Sequence, residues 1–234
     1  RTDDARLVIE LAKSAHANGA LCLNYAEVKE LLYNEDNQVC GAKIFDRIGS
    51  TEFSINAKRV VNATGPFVDL IRKEDKSLYG KRLQLTKGVH IVFSFDKLPL
   101  KQAVYFDVKD GRMIFAIPRN GFTYVGTTDT VYNQSIDSPS VNKEDTTYLV
   151  NAVNDMFTNT SVSEADIVSS WAGLRPLIHE DGKSPSELSR KDEIMISPSG
   201  LISIAGGKLT GYRLMAEKIV DLVGKQLRSS FPNL

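Results

Sequence analysis

Along the first twenty residues, Leu7, Val8, Leu11, Ala12 and Ala15 fall on one side of a 3.6-residue period. The spacing predicts an amphipathic helix, with Thr2 or Asp3 able to cap its start and Gly19 suited to its stop. Ala20 to Tyr25 then reads as a strand. Glu27 to Tyr33 fits either period, since Val28, Leu31 and Leu32 also have helical spacing, and its neighbours favour a strand. The polar break NEDNQ leads into Val39 to Asp46, and the turn RIGS leads into Thr51 to Ile55, which predicts a small antiparallel meander.

From Arg82 to Asp129 the texture changes. HIVFSF, QAVYFDV, RMIFAIP and TYVGTTD are strand-like and are separated by DKLPLK, KDG and RNG, so an antiparallel sheet is expected. Asn142 to Phe157 predicts an amphipathic helix carrying Tyr148, Leu149, Val153 and Met156. After Asp166 the run IVSSWAGLRPL is again strand-like. A polar loop with Pro185 and Arg190 follows, then EIMIS and LISIA flank PSG as a hairpin, and a last helix runs to about Leu227.

Two stretches share one design. A buried strand through Val60 and Val61 ends at Asn62-Ala63-Thr64-Gly65, with Pro66 at a good first helical position. Leu201 to Ala205 likewise ends at Gly206, Gly207 and Lys208, and helix-compatible sequence resumes near Leu209. Glycines let a backbone approach a bound group, and the first N–H groups of a helix lack internal partners and carry partial positive charge. Lys208 adds a full charge, so the second turn favours an anion or an electron-rich ring edge. A phosphate-binding nucleotide loop is excluded, because Ile202 and Leu209 stand where it needs Gly and Ser or Thr. Two accounts stay open: unrelated left-handed turns before helices, or two turns converging on one ligand at the carboxyl ends of neighbouring strands. A sheet inserted between them suggests two domains with a ligand cleft.

Composition narrows the classes. The 234 residues hold 29 Lys plus Arg and 29 Asp plus Glu, so no net field points to nucleic acid. Apolar runs are too short to span a bilayer and no signal-peptide pattern is visible, so the chain reads as soluble. Cys22 and Cys40 are read as reduced core thiols, which fits a cytoplasmic setting. His16, His90 and His179 lack metal-ligand spacing, and no metal site is expected.

The ordered set DDARL, VVNATGP, TKGVHIVF, GTTDT, WAGLRPL, SRKDEI and GGKLTGYR resembles the FAD-dependent glycerol-3-phosphate dehydrogenases and the related glycerophosphate oxidases, from Asp3 to about Leu227. The resemblance implies an α+β (α/β) protein that folds like D-amino-acid oxidase. Residues 1–81 would form part of a Rossmann-like FAD domain, 82–194 mainly an antiparallel-sheet substrate domain, and 195–234 the return to the FAD domain. The family's N-terminal glycine-rich dinucleotide motif and an active-site Arg-Tyr pair near it are not in this sequence. The chain is therefore expected to be an internal fragment that binds FAD poorly and is inactive by itself.

The implied reaction oxidises sn-glycerol 3-phosphate to dihydroxyacetone phosphate and passes hydride to FAD. His90 matches the family's active-site histidine, as base or hydroxyl-orienting group, where otherwise it reads as a packed core histidine. Arg175 and Arg190 match positions near the substrate phosphate, for which forked guanidinium donors suit a dianion; without the match, each reads as a surface or salt-bridge arginine. Lys208 matches the lysine beside flavin and substrate, against an exposed lysine in an unfavourable place near a helix start. Gly65, Gly206, Gly207, Leu209 and Thr210 match flavin-lining positions, and Val28 a main-chain contact to adenine. The resemblance also implies quinone as electron acceptor and a peripheral place on the cytoplasmic face of the membrane, and it allows a homodimer. Two competitors stand: an oxidase that reduces oxygen to peroxide, disfavoured by the short connections from Arg82 to Asp129, and a non-catalytic binding module on the same fold.

Overall fold

A computed structural model of the chain describes residues 3–179 and 191–230. In chain order the elements are α1 (Asp4–Ala17), β1 (Ala26–Tyr33), β2 (Val39–Asp46), β3 (Thr51–Asn56), β4 (Val61–Asn62), α2 (Val68–Glu74), β5 (Arg82–Ser94), β6 (Val104–Asp107), β7 (Met113–Arg119), β8 (Phe122–Gly126), β9 (Thr130–Val131), α3 (Lys143–Met156), β10 (Ile167–His179), β11 (Asp192–Ile196), β12 (Ile202–Gly206) and α4 (Tyr212–Ser230). By its contacts the chain divides into two units: one holds the residues up to Arg82, Ile178 with His179, and those from Lys191 onward; the other holds Leu83–Leu177.

In the first unit, α1 is capped by Asp3, whose carboxylate accepts the Arg6 N–H at 3.1 Å, and the chain leaves it through Gly19 at φ +87°. The stretch Ala20 to Tyr25, expected as a strand, is not one. No strand among the described residues pairs with it, and an extended backbone becomes a strand only when a neighbour takes up its N–H and C=O groups. Its apolar side chains are accordingly open, Leu21 at 78% exposure. The meander forms as expected, with β1, β2 and β3 antiparallel in that order. The hairpin β11–β12 places β12 beside β4, and these two run parallel, Ile202 opposite Val61 and Ser203 opposite Asn62. The apolar stripe of α4 covers this sheet through Ile219, Met215, Leu222 and Val223, packed with Ile202 and Ile204.

In the second unit, the strands lie in the order β10-β5-β8-β7-β6, with β9 paired to β5. Alternation sorts their side chains: Val89, Ile91, Phe93, Ile114, Ala116 and Val125 pack on Leu149 and Val153 of α3. The helix begins in a capping box between Asn142 and Asp145. Met156, expected on its buried face, is 45% exposed, because it sits in the last turn beyond that contact. Tyr148 is half-buried and turns its hydroxyl to Asp110, with the Arg112 guanidinium 4.5 Å from its ring centre. The run TYVGTTD ends as a strand at Gly126, where the Gly126–Thr127 peptide is cis.

Candidate active site

The first cluster is backbone. Because β4 and β12 are adjacent and parallel, the turns that follow them, Thr64-Gly65 and Gly206-Gly207-Lys208, leave from the same end of the sheet. Gly65 stands at φ +58° and Gly206 and Gly207 at φ +77°, a region that side-chain-bearing residues seldom adopt. A Cβ on Gly206 would lie 2.5 Å from the Lys191 carbonyl oxygen, and one on Gly207 2.7 Å from the Met215 Sδ, whereas Gly65 faces open space. Asn62 locks the pair of turns. Its buried amide donates to the Val68 carbonyl at 3.0 Å and to Ser203 Oγ at 3.1 Å, and its Oδ1 accepts from Thr64 Oγ1 at 2.7 Å. Lys208, Leu209 and Thr210 are exposed just before α4, and Lys208 makes no ion pair among the described residues.

This edge is open rather than enclosed. Clefts of about 350, 500 and 430 Å³ lie elsewhere in the first unit, against β11, around Arg59 and beside Asp75, and none is lined by Gly65, Gly206 or Lys208. The chemistry-bearing groups make the turn edge the better candidate.

The second cluster sits on the face of the six-stranded sheet opposite α3. His90 on β5 stacks on Trp171 of β10, ring centres 4.9 Å apart and planes 12° from parallel, with Phe115 of β7 at 5.4 Å. Beneath the imidazole lies Gly126 of β8, the register partner of His90, where a Cβ would meet the ring Cδ2 at 2.3 Å. Arg175 takes a matching seat on Gly88, whose Cβ would meet Arg175 Nη2 at 2.4 Å. Its Nη1 donates to the Thr128 carbonyl at 3.1 Å and to Asp129 Oδ1 at 3.4 Å, and its Nη2 to Thr127 Oγ1 at 2.8 Å. Thr128 Oγ1 in turn accepts the Val89 N–H at 3.0 Å, which ties this support to β5. Burial pushes the His90 pKa down to about 4, helped by the Arg175 guanidinium, so the imidazole is neutral at pH 7.

Of the residues singled out from sequence, His90 and Arg175 come together on this sheet face. Gly65, Gly206, Gly207, Lys208, Leu209 and Thr210 gather at the turn edge of the first unit. Val28 lies apart from them on β1, paired with Ile44 and 42% exposed. Arg190 lies outside the described residues. Sequence reasoning assigned no role to Asn62, Gly88, Gly126, Thr127, Thr128, Asp129 or Trp171. NATG and GTTDT hold small polar residues where strands end, a signal for turn chemistry, but seats carved by glycine need the cross-strand register.

Residues 1–213 match the family model described as FAD dependent oxidoreductase. The chain belongs to that family. Its fold is the one the resemblance to D-amino-acid oxidase implied, with mixed helices and antiparallel sheet. Within the family it is 59% identical to the aerobic glycerol-3-phosphate dehydrogenase of Bacillus subtilis (strain 168), covering 97% of this chain and 41% of that protein. It is 55% identical to the enzyme of the same name from Staphylococcus aureus (strain USA300), over 99% of this chain and 42% of that protein. Among solved structures it matches the glycerol-3-phosphate dehydrogenase from Bacillus halodurans complexed with FAD, with a TM-score of 0.90 and 53% identity, covering 97% of this chain and 44% of that one. The glycine oxidase of Bacillus cereus ATCC 14579 shares the fold at a TM-score of 0.58 and 20% identity, covering 88% of this chain and 50% of that one. The chain thus spans about two fifths of the length of the glycerol-3-phosphate dehydrogenases it matches.

Proposed function

We propose that this chain supplies the flavin-ring edge and the substrate residues of an FAD-dependent glycerol-3-phosphate dehydrogenase. The observation that carries the reading is a guanidinium and a neutral imidazole seated side by side on one sheet face, in a chain 53% identical to a glycerol-3-phosphate dehydrogenase complexed with FAD. The turn edge fits a flavin: three glycines at positive φ bring bare backbone forward, Gly65 meets open space, and the helical run after Lys208 begins with free N–H groups. Gly65, Gly206, Gly207, Lys208, Leu209 and Thr210 would hold the ring, and Val28 the adenine end. When bound, FAD supplies a two-electron acceptor for the hydride on C2 of the substrate.

The chain's own groups do the rest. Arg175, held by Thr127, Thr128 and Asp129, keeps a fixed fork for the phosphate, and Arg190 adds to it. His90, neutral at pH 7, orients the C2 hydroxyl and takes its proton. Lys208 offsets negative charge on substrate and reduced ring. Trp171 and Phe115 flank the imidazole. The electrons pass on to quinone, and the whole protein sits peripherally on the cytoplasmic face of the membrane, with a homodimer as its assembly to be tested. No helix among the described residues is long and apolar enough to cross a membrane.

The test is anaerobic mixing of the full-length protein with glycerol 3-phosphate while flavin absorbance is followed. Bleaching is expected, slowed by on the order of 10² to 10⁴-fold in His90→Ala and weakened in substrate affinity by Arg175→Ala and Lys208→Ala. A flavin that glycerol 3-phosphate leaves oxidised overturns the reading. Stoichiometric peroxide under air, with no reduction of added quinone, would assign the oxidase instead.

A further inference from the structure

Trp171 is drawn into the sequence motif WAGLRPL yet has no part in the chemistry proposed above, and its ring lies flat on that of His90. The two nitrogens of His90 are not equivalent. Nδ1 is buried and finds no hydrogen-bond partner among the described residues, whereas Nε2 is neither sealed nor bonded to the protein. Chain added elsewhere cannot reach an atom that these residues already cover, so the full-length protein inherits the asymmetry. The ring has little freedom to reverse it, since Trp171 occupies one face, Phe115 lies at its side and Gly126 leaves just enough room beneath Cδ2 and Nε2.

We propose that Trp171 and Gly126 act as positioning residues that present Nε2 of His90, and never Nδ1, to the substrate hydroxyl. This rests on the reading of the site given above. Among the described residues, Phe115 of β7 and Trp171 of β10 lie against the imidazole, Gly126 of β8 lies beneath it, the Tyr124 ring reaches Phe115 and Trp171, and Arg175 of β10 acts on it electrostatically. Arg175 is the charged group among them and is itself held by Asp129. On β5, Lys87 turns to the other face and pairs with Asp145, so its ammonium does not compete. A buried, unpartnered ring nitrogen costs stability, so its surroundings must hold the ring in that arrangement. A tryptophan face and a missing Cβ provide such a fixture.

A glutamine side chain can place its amide oxygen, an acceptor as Nε2 is, where Nε2 lies, and an asparagine can place its own where Nδ1 lies. In full-length holoprotein, His90→Gln is therefore expected to bind glycerol 3-phosphate within about threefold of the parent, and His90→Asn at least tenfold more weakly, a difference of about 1.4 kcal/mol. Equal affinities, or the reverse order, overturn the assignment. The positioning role is read in a second background: Trp171→Ala should level the Gln and Asn variants, while Trp171→Phe, which keeps a flat ring and the fold, should preserve their order. An unchanged order in Trp171→Ala overturns the role of Trp171. Substrate-free holoprotein with ¹⁵N-labelled histidine gives a further arm. A soluble paramagnetic agent should relax Nε2 of His90 more than Nδ1, and the opposite result overturns the proposal even if the substrate is not glycerol 3-phosphate. A full-length protein that binds no glycerol 3-phosphate sinks the substrate reading alone.

Discussion

His90 shows how a single residue takes its chemistry from its seat. An ordinary histidine titrates near 6.5; burial first, and the Arg175 guanidinium second, bring this one to about 4. The sign of the linkage follows. Between pH 6.5 and 4 the unfolded chain binds a proton at this position that the folded chain refuses, so the folded state loses stability as pH falls through that window and regains it above 6.5. His90→Gln removes the titration. Urea midpoints at pH 7 and pH 5 should therefore drop further in the parent than in the variant; equal drops would mean that the imidazole is not held neutral. The same low proton affinity keeps the proton-accepting form present throughout the neutral range, as the proposed alcohol oxidation would require.

At the scale of elements, strand β5, which carries His90, is tied to its supporting helix by a buried ion pair. Lys87 and Asp145, at 8% and 4% side-chain exposure, meet across the sheet–helix interface, and Asp145 also closes the capping box of α3 with the Asn142 N–H. Lys87 donates a second bond to the Ser140 carbonyl at 3.1 Å. Removing one partner leaves the other charge buried and unpaired, so Asp145→Ala should cost about 3 to 5 kcal/mol, read from urea unfolding. A paired replacement, Lys87→Met with Asp145→Leu, should cost far less, because no uncompensated charge remains. If single and double variants lose the same stability, the bond is not what holds β5 in place. The helix and its cap were legible in advance from Asn142 and the apolar spacing. The lysine was not, because an apolar-looking TKGVHIVF run gives no sign that its cation turns inward to a helix start.

For the whole molecule, the charge balance of 29 against 29 leaves recognition to local groups rather than to a global field. On the reading proposed above, the turn edge would hold one end of a flavin, and the glycine-rich motif that the resemblance implies for the other end is not in this sequence. Ligand binding to the folded state adds stability as RT ln(1 + [L]/Kd), about 2.7 kcal/mol at a hundredfold excess over Kd. Saturating FAD should thus raise the melting temperature of the full-length protein clearly and that of the 234-residue chain little. A comparable rise in the short chain would show that its own glycines suffice.

The sequence alone determined the order and kind of nearly every element, both strand–glycine–helix turns, and the family, because periodicity, turn residues and short motifs are local and survive in one dimension. It overreached at Ala20 to Tyr25, where extended, apolar sequence met no pairing strand, and at Met156, where helical spacing ran past the end of the contact. Tertiary structure alone decided that β4 and β12 lie side by side and parallel, that Gly88 and Gly126 make room for Arg175 and His90, and that Trp171 covers the imidazole. Those facts depend on which residues face each other across strands distant in sequence. Hydrogen-bond register, rather than any property of the single strand, sets that pairing.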